Sequence, residues 1–151
     1  MSKWPKSARV EVTKFGNLPR SQLMARIGSR SNQTTDATLA RLLRQYRLRG
    51  WRRQGTMIGK PDFIWPDRKI ALFVDGCFWH GHNCRNLTPA TNASAWSEKL
   101  ARNRKRDRNV TRRLHQIGWR VIRIWECSLS KSPRRCLARI ERALTKSPIR
   151  T

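Results

Sequence analysis

The sequence predicts one α/β domain organised around a metal loop. Three observations carry this. Ile70–Val74 is a short apolar run of the kind that makes a buried strand. Stretches of helical period flank it, one over residues 39–46 and a longer one over 96–117. Directly after the strand, Cys77, His82 and Cys84 fall within eight residues, in a polar loop that also holds Phe78 and Trp79. A chain of 151 residues is long enough to bury one real core.

The elements follow in order. Residues 1–23 are basic and mixed, with Pro5 and Pro19 and no clear period, and read as a partly ordered arm that either holds nucleic acid or is a solvated tail. Residues 24–146 form the domain, opening on a loop to Ser31, and 147–151 are a short tail. Thr34 or Thr35 can cap a helix, because a hydroxyl there satisfies a free backbone N–H. Its buried face is Leu39, Leu42, Leu43 and Tyr46, and Gly50 is the expected stop. Asp36 in the first turn is first of all a carboxylate matched to the helix dipole.

Trp51–Gln54 is a candidate strand and 55–60 a loop. Pro61–Trp65, a Pro66-Asp67 turn and Ile70–Val74 then make a tight antiparallel hairpin. That pairing brings Asp62 and Asp75 to one edge. Two carboxylates there suit a hard cation such as Mg²⁺; the competing reading is a Pro-Asp turn and an Asp-Gly turn.

Residues 85–93 read as loop, and Ser94 as the cap of a long helix to Ile117. Its inward stripe is Trp96, Leu100, Asn103, Asp107, Val110, Leu114 and Ile117. Asn103 and Asp107 on that stripe need partners inside the protein. Lys99, Arg102, Lys105 and Arg106 stand among the bases on the other faces, which read as a phosphate-facing surface. His115 is a surface histidine, and Gly118 ends the helix. Trp119–Trp125 is a strand, and Arg134–Lys146 a last helix with Leu137, Ile140, Ala143 and Leu144 inward and Cys136 as a structural thiol.

Cys127, just past the strand, is the best fourth partner for Cys77, His82 and Cys84. Thiolate and imidazole ligands in a closed tetrahedron are the chemistry of structural zinc. The alternative is two core cysteines and a surface histidine. Charge narrows the partner: 34 Lys and Arg stand against 9 Asp and Glu, a net charge of +25. A polyanion is implied, because each phosphate neutralised releases condensed counterions. No apolar run of about 18 residues argues for a membrane. No signal peptide is visible, so the expected compartment is intracellular, where cysteines serve as thiols and metal ligands. Seven tryptophans are many for this length, and aromatics among bases can stack on or wedge between nucleobases.

Gly-Lys-Pro-Asp-Phe at 59–63, Phe-Val-Asp-Gly-Cys-Phe-Trp-His-Gly-His at 73–82 and Gly-Trp-Arg-Val-Ile-Arg-Ile-Trp-Glu-Cys at 118–127 resemble the very short patch repair DNA mismatch endonucleases, in the same order over about residues 24–144. The resemblance implies a restriction-endonuclease-like α/β core, a mixed sheet flanked by helices, with a structural zinc site. It implies nicking of double-stranded DNA beside a T:G mismatch left when 5-methylcytosine deaminates. Carried over by position, it makes Asp62 the Mg²⁺ ligand, with the Val74 backbone carbonyl and Asp75 beside it, and His80 catalytic. It makes Cys77, His82, Cys84 and Cys127 the zinc ligands, and Phe78, Trp79 and Trp96 the aromatics that wedge into DNA. Asp36 stands where glutamate is usual, so a supporting catalytic role there is shortened by one methylene. The run 31–35 needs a one-residue insertion. The wider nuclease superfamily has a lysine where Cys77 stands, and His80 is the natural substitute. A monomer acting in the bacterial cytoplasm at the nucleoid is implied, with mismatch-repair proteins as candidate partners. Two other readings stand beside it: a zinc-containing DNA-binding module without activity, and a related nuclease with another target.

Overall fold

The computed structural model describes residues 35–53, 56–82, 84 and 92–146. The expected arm 1–23, the Thr34 cap, the insertion before it and the tail 147–151 lie outside these residues. A helix, α1, covers 35–45. It is followed by β1 (Arg52–Arg53), β2 (Phe63–Trp65), a 3-10 turn (Pro66–Arg68) and β3 (Ile70–Asp75). Then come α2 (Ala93–Gln116), β4 (Arg120–Trp125), α3 (Glu126–Lys131) and α4 (Pro133–Thr145).

The four strands lie in the order β1-β2-β3-β4. The β1–β2 and β2–β3 pairs are antiparallel, and β3 and β4 run parallel. The mixture has a simple cause. A tight turn at Pro66–Arg68, closed by Lys69 in a left-handed conformation (φ 48°), can only return the chain antiparallel. A parallel neighbour needs a long crossover, and α2 provides it. All six residues of β3 are buried, because the strand is covered on both faces. Leu72, Val74, Ile122 and Ile124 pack with Leu39, Leu43, Leu137 and Ile140 on one side. Ala71 and Phe73 pack with Leu114 and Val110 of α2 on the other. The result is a mixed α/β sheet between helices, as the sequence predicts. None of the described helices is long and apolar enough to cross a membrane.

Several details differ from the sequence expectations. Tyr46 is 46% exposed, because α1 stops one residue before it, and Ala40 is buried with the leucines instead. The stop is Arg47, not Gly50. Arg47 takes φ 54°, and the bonds Leu48 N–H to Leu43 O and Arg47 N–H to Arg44 O close a Schellman motif. Thr35 is itself helical, so it is not the cap. At the other long helix, Asn92 rather than Ser94 occupies the N-cap, with no side-chain cap bond. Gly118 ends α2 as expected, by the same two bonds, Trp119 N–H to Leu114 O and Gly118 N–H to His115 O. Ile117 falls beyond the helix and is 50% exposed, so the inward stripe ends at Leu114. Helix α3, which carries Cys127, has no counterpart in the sequence reading; six residues are too few to show a period.

Candidate active site and metal centre

The functional side chains gather where β2 begins and β3 ends. Asp62 precedes β2, and its backbone N–H bonds to Leu72 O. Its Oδ2 accepts from the Val74 N–H at 2.7 Å, so the Asp62 side chain lies against the backbone of β3. Asp36 reaches the same place from α1, with the Arg53 guanidinium 3.9 Å away. Burial raises the Asp36 carboxyl to about 6; the charge of Asp62 adds to this and Arg53 opposes it. Burial likewise raises Asp62, the Val74 N–H opposes the shift, and the charge of Asp75 adds to it. Asp36 Oδ1 is buried with no hydrogen-bond partner among the described residues. Half-buried carboxylates, each raised by the charge of a neighbouring carboxylate and one with an unpaired oxygen, suit a hard divalent cation.

Asp75 ends β3 at 4% exposure and is held differently. Arg123 Nη1 on the adjacent β4 donates to both Asp75 oxygens, at 2.9 and 2.8 Å. Arg123 Nη2 lies 3.4 Å from Asp107 Oδ1 on α2. His80 stands between the two carboxylates: Nδ1 bonds Asp107 Oδ2 at 2.6 Å, and Nε2 is 3.8 Å from Asp75 Oδ1. Burial alone would raise Asp107, but the His80 bond and the charges of His80, Arg123 and Arg106 outweigh it and hold the carboxyl low. Asp107 therefore meets the need for a partner that its place on the inward stripe created. Asn103 meets the same need by donating to Trp79 O at 2.8 Å. Arg123 has no counterpart in the sequence reading, because nothing in an alternating strand with two arginines marks which of them turns inward. The register Phe73↔Arg123 turns it toward α2.

The second centre lies one turn further on. The ligand atoms of Cys77, His82, Cys84 and Cys127 all lie within 4.8 Å of one another. Zinc–sulfur bonds of about 2.3 Å put tetrahedral sulfurs roughly 3.8 Å apart, so the donor set fits that ion. Burial first, then the neighbouring Cys84 and Cys127 thiols, push the Cys77 thiol up to about 12. A cation among these groups is what lets such a cluster hold thiolates. The His82 ring stacks on Trp125 at 4.3 Å and 9°, and its Nδ1 lies 3.3 Å from Cys127 Sγ. Cys136 is buried nearby, outside the cluster.

The loop between the centres carries Phe78 and Trp79, both half-buried. They pack with Trp96 of α2, Phe78 against Trp96 at 4.3 Å and Trp79 against Trp96 at 5.9 Å. Lys99 Nζ sits 5.0 Å from the Trp79 ring. Arg104 donates to Gly81 O, so α2 holds this loop at two points with Asn103. Lys99, Arg102, Lys105 and Arg106 are exposed on α2, where the sequence puts them.

The family model described as DNA mismatch endonuclease Vsr matches residues 13–86. The DNA mismatch endonuclease Vsr of Escherichia coli (strain K12) is 38% identical over 111 residues, covering 73% of this chain and 70% of that protein. The type II nicking enzyme V.XorIIP of Xanthomonas oryzae pv. oryzae is 40% identical over 114 residues, covering 74% and 82%. The type II nicking enzyme V.HpaIIP of Haemophilus parainfluenzae is 29% identical over 133 residues, covering 87% and 94%. These likenesses favour an enzyme over a DNA-binding module without activity: the chain belongs to the Vsr family of DNA mismatch endonucleases and is a DNA-nicking hydrolase.

Proposed function

We propose that the chain nicks one strand of double-stranded DNA beside T:G mismatches arising from 5-methylcytosine deamination, in a Mg²⁺-dependent hydrolysis. The observation that carries the reading is the convergence of Asp36, Asp62 and the Val74 backbone on one half-buried edge, beside His80 and Asp75. Asp62, the Val74 carbonyl and Asp75 would hold the magnesium, with Asp36 in support. Bound there, Mg²⁺ supplies Lewis-acid stabilisation of charge on the scissile phosphate. His80 orients or deprotonates the attacking water. With Nδ1 committed to Asp107, Nε2 is the nitrogen left to face that water. Arg123 offsets the charge of Asp75 and Asp107, so these two acids and His80 share one edge without mutual expulsion.

Cys77, His82, Cys84 and Cys127 would hold a structural zinc, whose four protein ligands leave no open position for chemistry. Their work is to pin the loop carrying Phe78, Trp79 and His80. Phe78, Trp79 and Trp96 wedge into the duplex, at a cost of a few kcal/mol in unstacking. A mismatched step resists less, which gives selectivity. Lys99, Arg102, Lys105 and Arg106 contact phosphates. The domain is residues 24–146, with 1–23 a basic arm and 147–151 a tail. It acts as a monomer in the bacterial cytoplasm, at the nucleoid, with mismatch-repair proteins as candidate partners.

The test is Asp62→Asn, which keeps shape and drops charge. Nicking with Mg²⁺ should fall by about 10³-fold or more, while affinity for DNA without metal is unchanged or tighter. Normal nicking by the variant would remove Asp62 from the metal site. The relatives named as type II nicking enzymes favour a second reading of the target, in which surrounding sequence decides cleavage. Rates on T:G and matched duplexes in several contexts separate the two.

A further inference from the structure

A basic surface unused by this chemistry runs along α4 and the outer edge of β4. Arg135, Arg139, Arg142 and Lys146 follow one another at steps of four, three and four, so they line one side of the helix. All four are exposed. The opposite side of α4, with Cys136, Leu137 and Ile140, is in the core. Two hollows flank the stripe and share Arg139. One, of about 560 Å³, includes Arg120, Arg139, Arg142 and Lys146. The other, of about 320 Å³, includes Lys131, Arg135 and Arg139, and reaches Trp125 and Cys127 beside the metal centre.

Three features set this stripe apart from a solvated face. No acidic residue lines either hollow, and none of its bases forms an ion pair among the described residues. Glu141, the acid of α4, lines a different hollow with Arg47 and Arg68. Three of the guanidiniums are already anchored: Arg139 Nη1 donates to Arg123 O at 2.8 Å, Arg120 Nη2 to Lys146 O at 3.2 Å and Arg142 Nε to Ala138 O at 3.4 Å. Anchored arginines lose less freedom when they meet a phosphate than free side chains do. The stripe also starts beside the catalytic edge, since Trp125 is the register partner of Asp75.

We propose that this α4–β4 face binds the phosphate backbone of the same duplex, beyond the stretch engaged at the nick. It rests on the reading of the chain as a DNA-nicking enzyme only for the identity of the polyanion. The eleven steps from Arg135 to Lys146, the C-cap of α4, span about 16 Å, at about 1.5 Å per residue. A DNA strand presents a phosphate every 3.4 Å or so along the axis, so the stripe covers roughly five base pairs. The footprint is therefore longer than the stretch needed for cleavage.

The experiment compares the full chain with Arg135→Gln/Arg142→Gln/Lys146→Gln on a short duplex bearing the nick site and on one extended to about 30 base pairs, beyond the roughly 16 Å span. On the long duplex the log–log slope of affinity against salt should be shallower in the variant by about 2.7, from three contacts at about 0.9 each. Affinity there should weaken about tenfold at moderate salt. On the short duplex, affinity and the single-turnover nicking rate should match the parent. Equal slopes on the long duplex would make the stripe a solvated face. Equal losses on both duplexes would place it within the cleavage footprint and overturn the proposal. Unchanged DNA binding with lost binding to polyglutamate would assign the face to an acidic protein surface. Thermal unfolding of the variant at the parent's temperature separates these outcomes from loss of fold. If the parent nicks neither duplex, the proposed reaction fails independently of the length effect.

Discussion

Replacing Asp36 by Asn should stabilise the metal-free protein, and by an amount that depends on pH. The Asp36 carboxyl is raised from 3.8 to about 6, first by burial and then by the charge of Asp62. A raised acid binds its proton more tightly in the folded state, so the native protein holds the extra proton between these values. Stability therefore falls as pH rises from about 4 to about 6, and above about 6 the folded state carries the full cost of the buried charge. A shift of about two units corresponds to about 3 kcal/mol, at 1.36 kcal/mol per unit. This is a ceiling, because the side chain keeps 17% exposure and water screens part of the charge. For a domain of this size it corresponds to a rise in Tm of about 6–12 °C. The assay is thermal unfolding of parent and variant in chelator at pH 4, 5, 6, 7 and 8. The gain should be near zero at pH 4 and level off above pH 7. Adding Mg²⁺ should narrow the difference from the parent's side, because a cation offsets the same repulsion. Destabilisation at pH 8, or a gain equal at all five values, would refute the account of Asp36 as a buried carboxylate short of a cation.

Cys127→Ser should lower bound zinc well below one per chain by metal analysis, with a large loss of stability, since such centres contribute on the order of 10 kcal/mol to folding of small zinc modules; full occupancy would remove Cys127 from the cluster. Arg123→Met should cost up to about 3–5 kcal/mol in chemical denaturation, because Asp75 at 4% exposure loses its cation. Adding Asp75→Asn to that variant should recover more than 1 kcal/mol, and a strictly additive double variant would mean the pair is not coupled. Gly59→Ala should destabilise by about 2–5 kcal/mol, because Gly59 has φ +79° and an added Cβ would stand 2.3 Å from Val110 Cγ1. An unchanged urea midpoint would show that the loop moves away from α2 at no cost.

The sequence by itself determined the parts whose signal is local. The run Ile70–Val74 is apolar on both faces, so it reads as a buried strand, and it is the centre of the sheet. Gly118 supplies a left-handed residue without a Cβ, so the end of α2 was legible. Cys77, His82 and Cys84 are close in sequence, and the one thiol just past a strand was enough to name Cys127. Position by position, the resemblance named Asp62, Asp75 and His80 as well. Only the tertiary structure decided how those groups are held. Arg47 stops α1 in a conformation that no residue type announces. Asp36 meets Asp62 across α1 and the start of β2, which turns a first-turn acid into half of a repelling pair. Arg123 finds Asp75 through the parallel register of β3 and β4, and Asp107 through α2 packed over them. Those contacts join residues 48 and 16 positions apart, and a pairing at that separation is fixed by packing and register, which no single stretch of chain encodes.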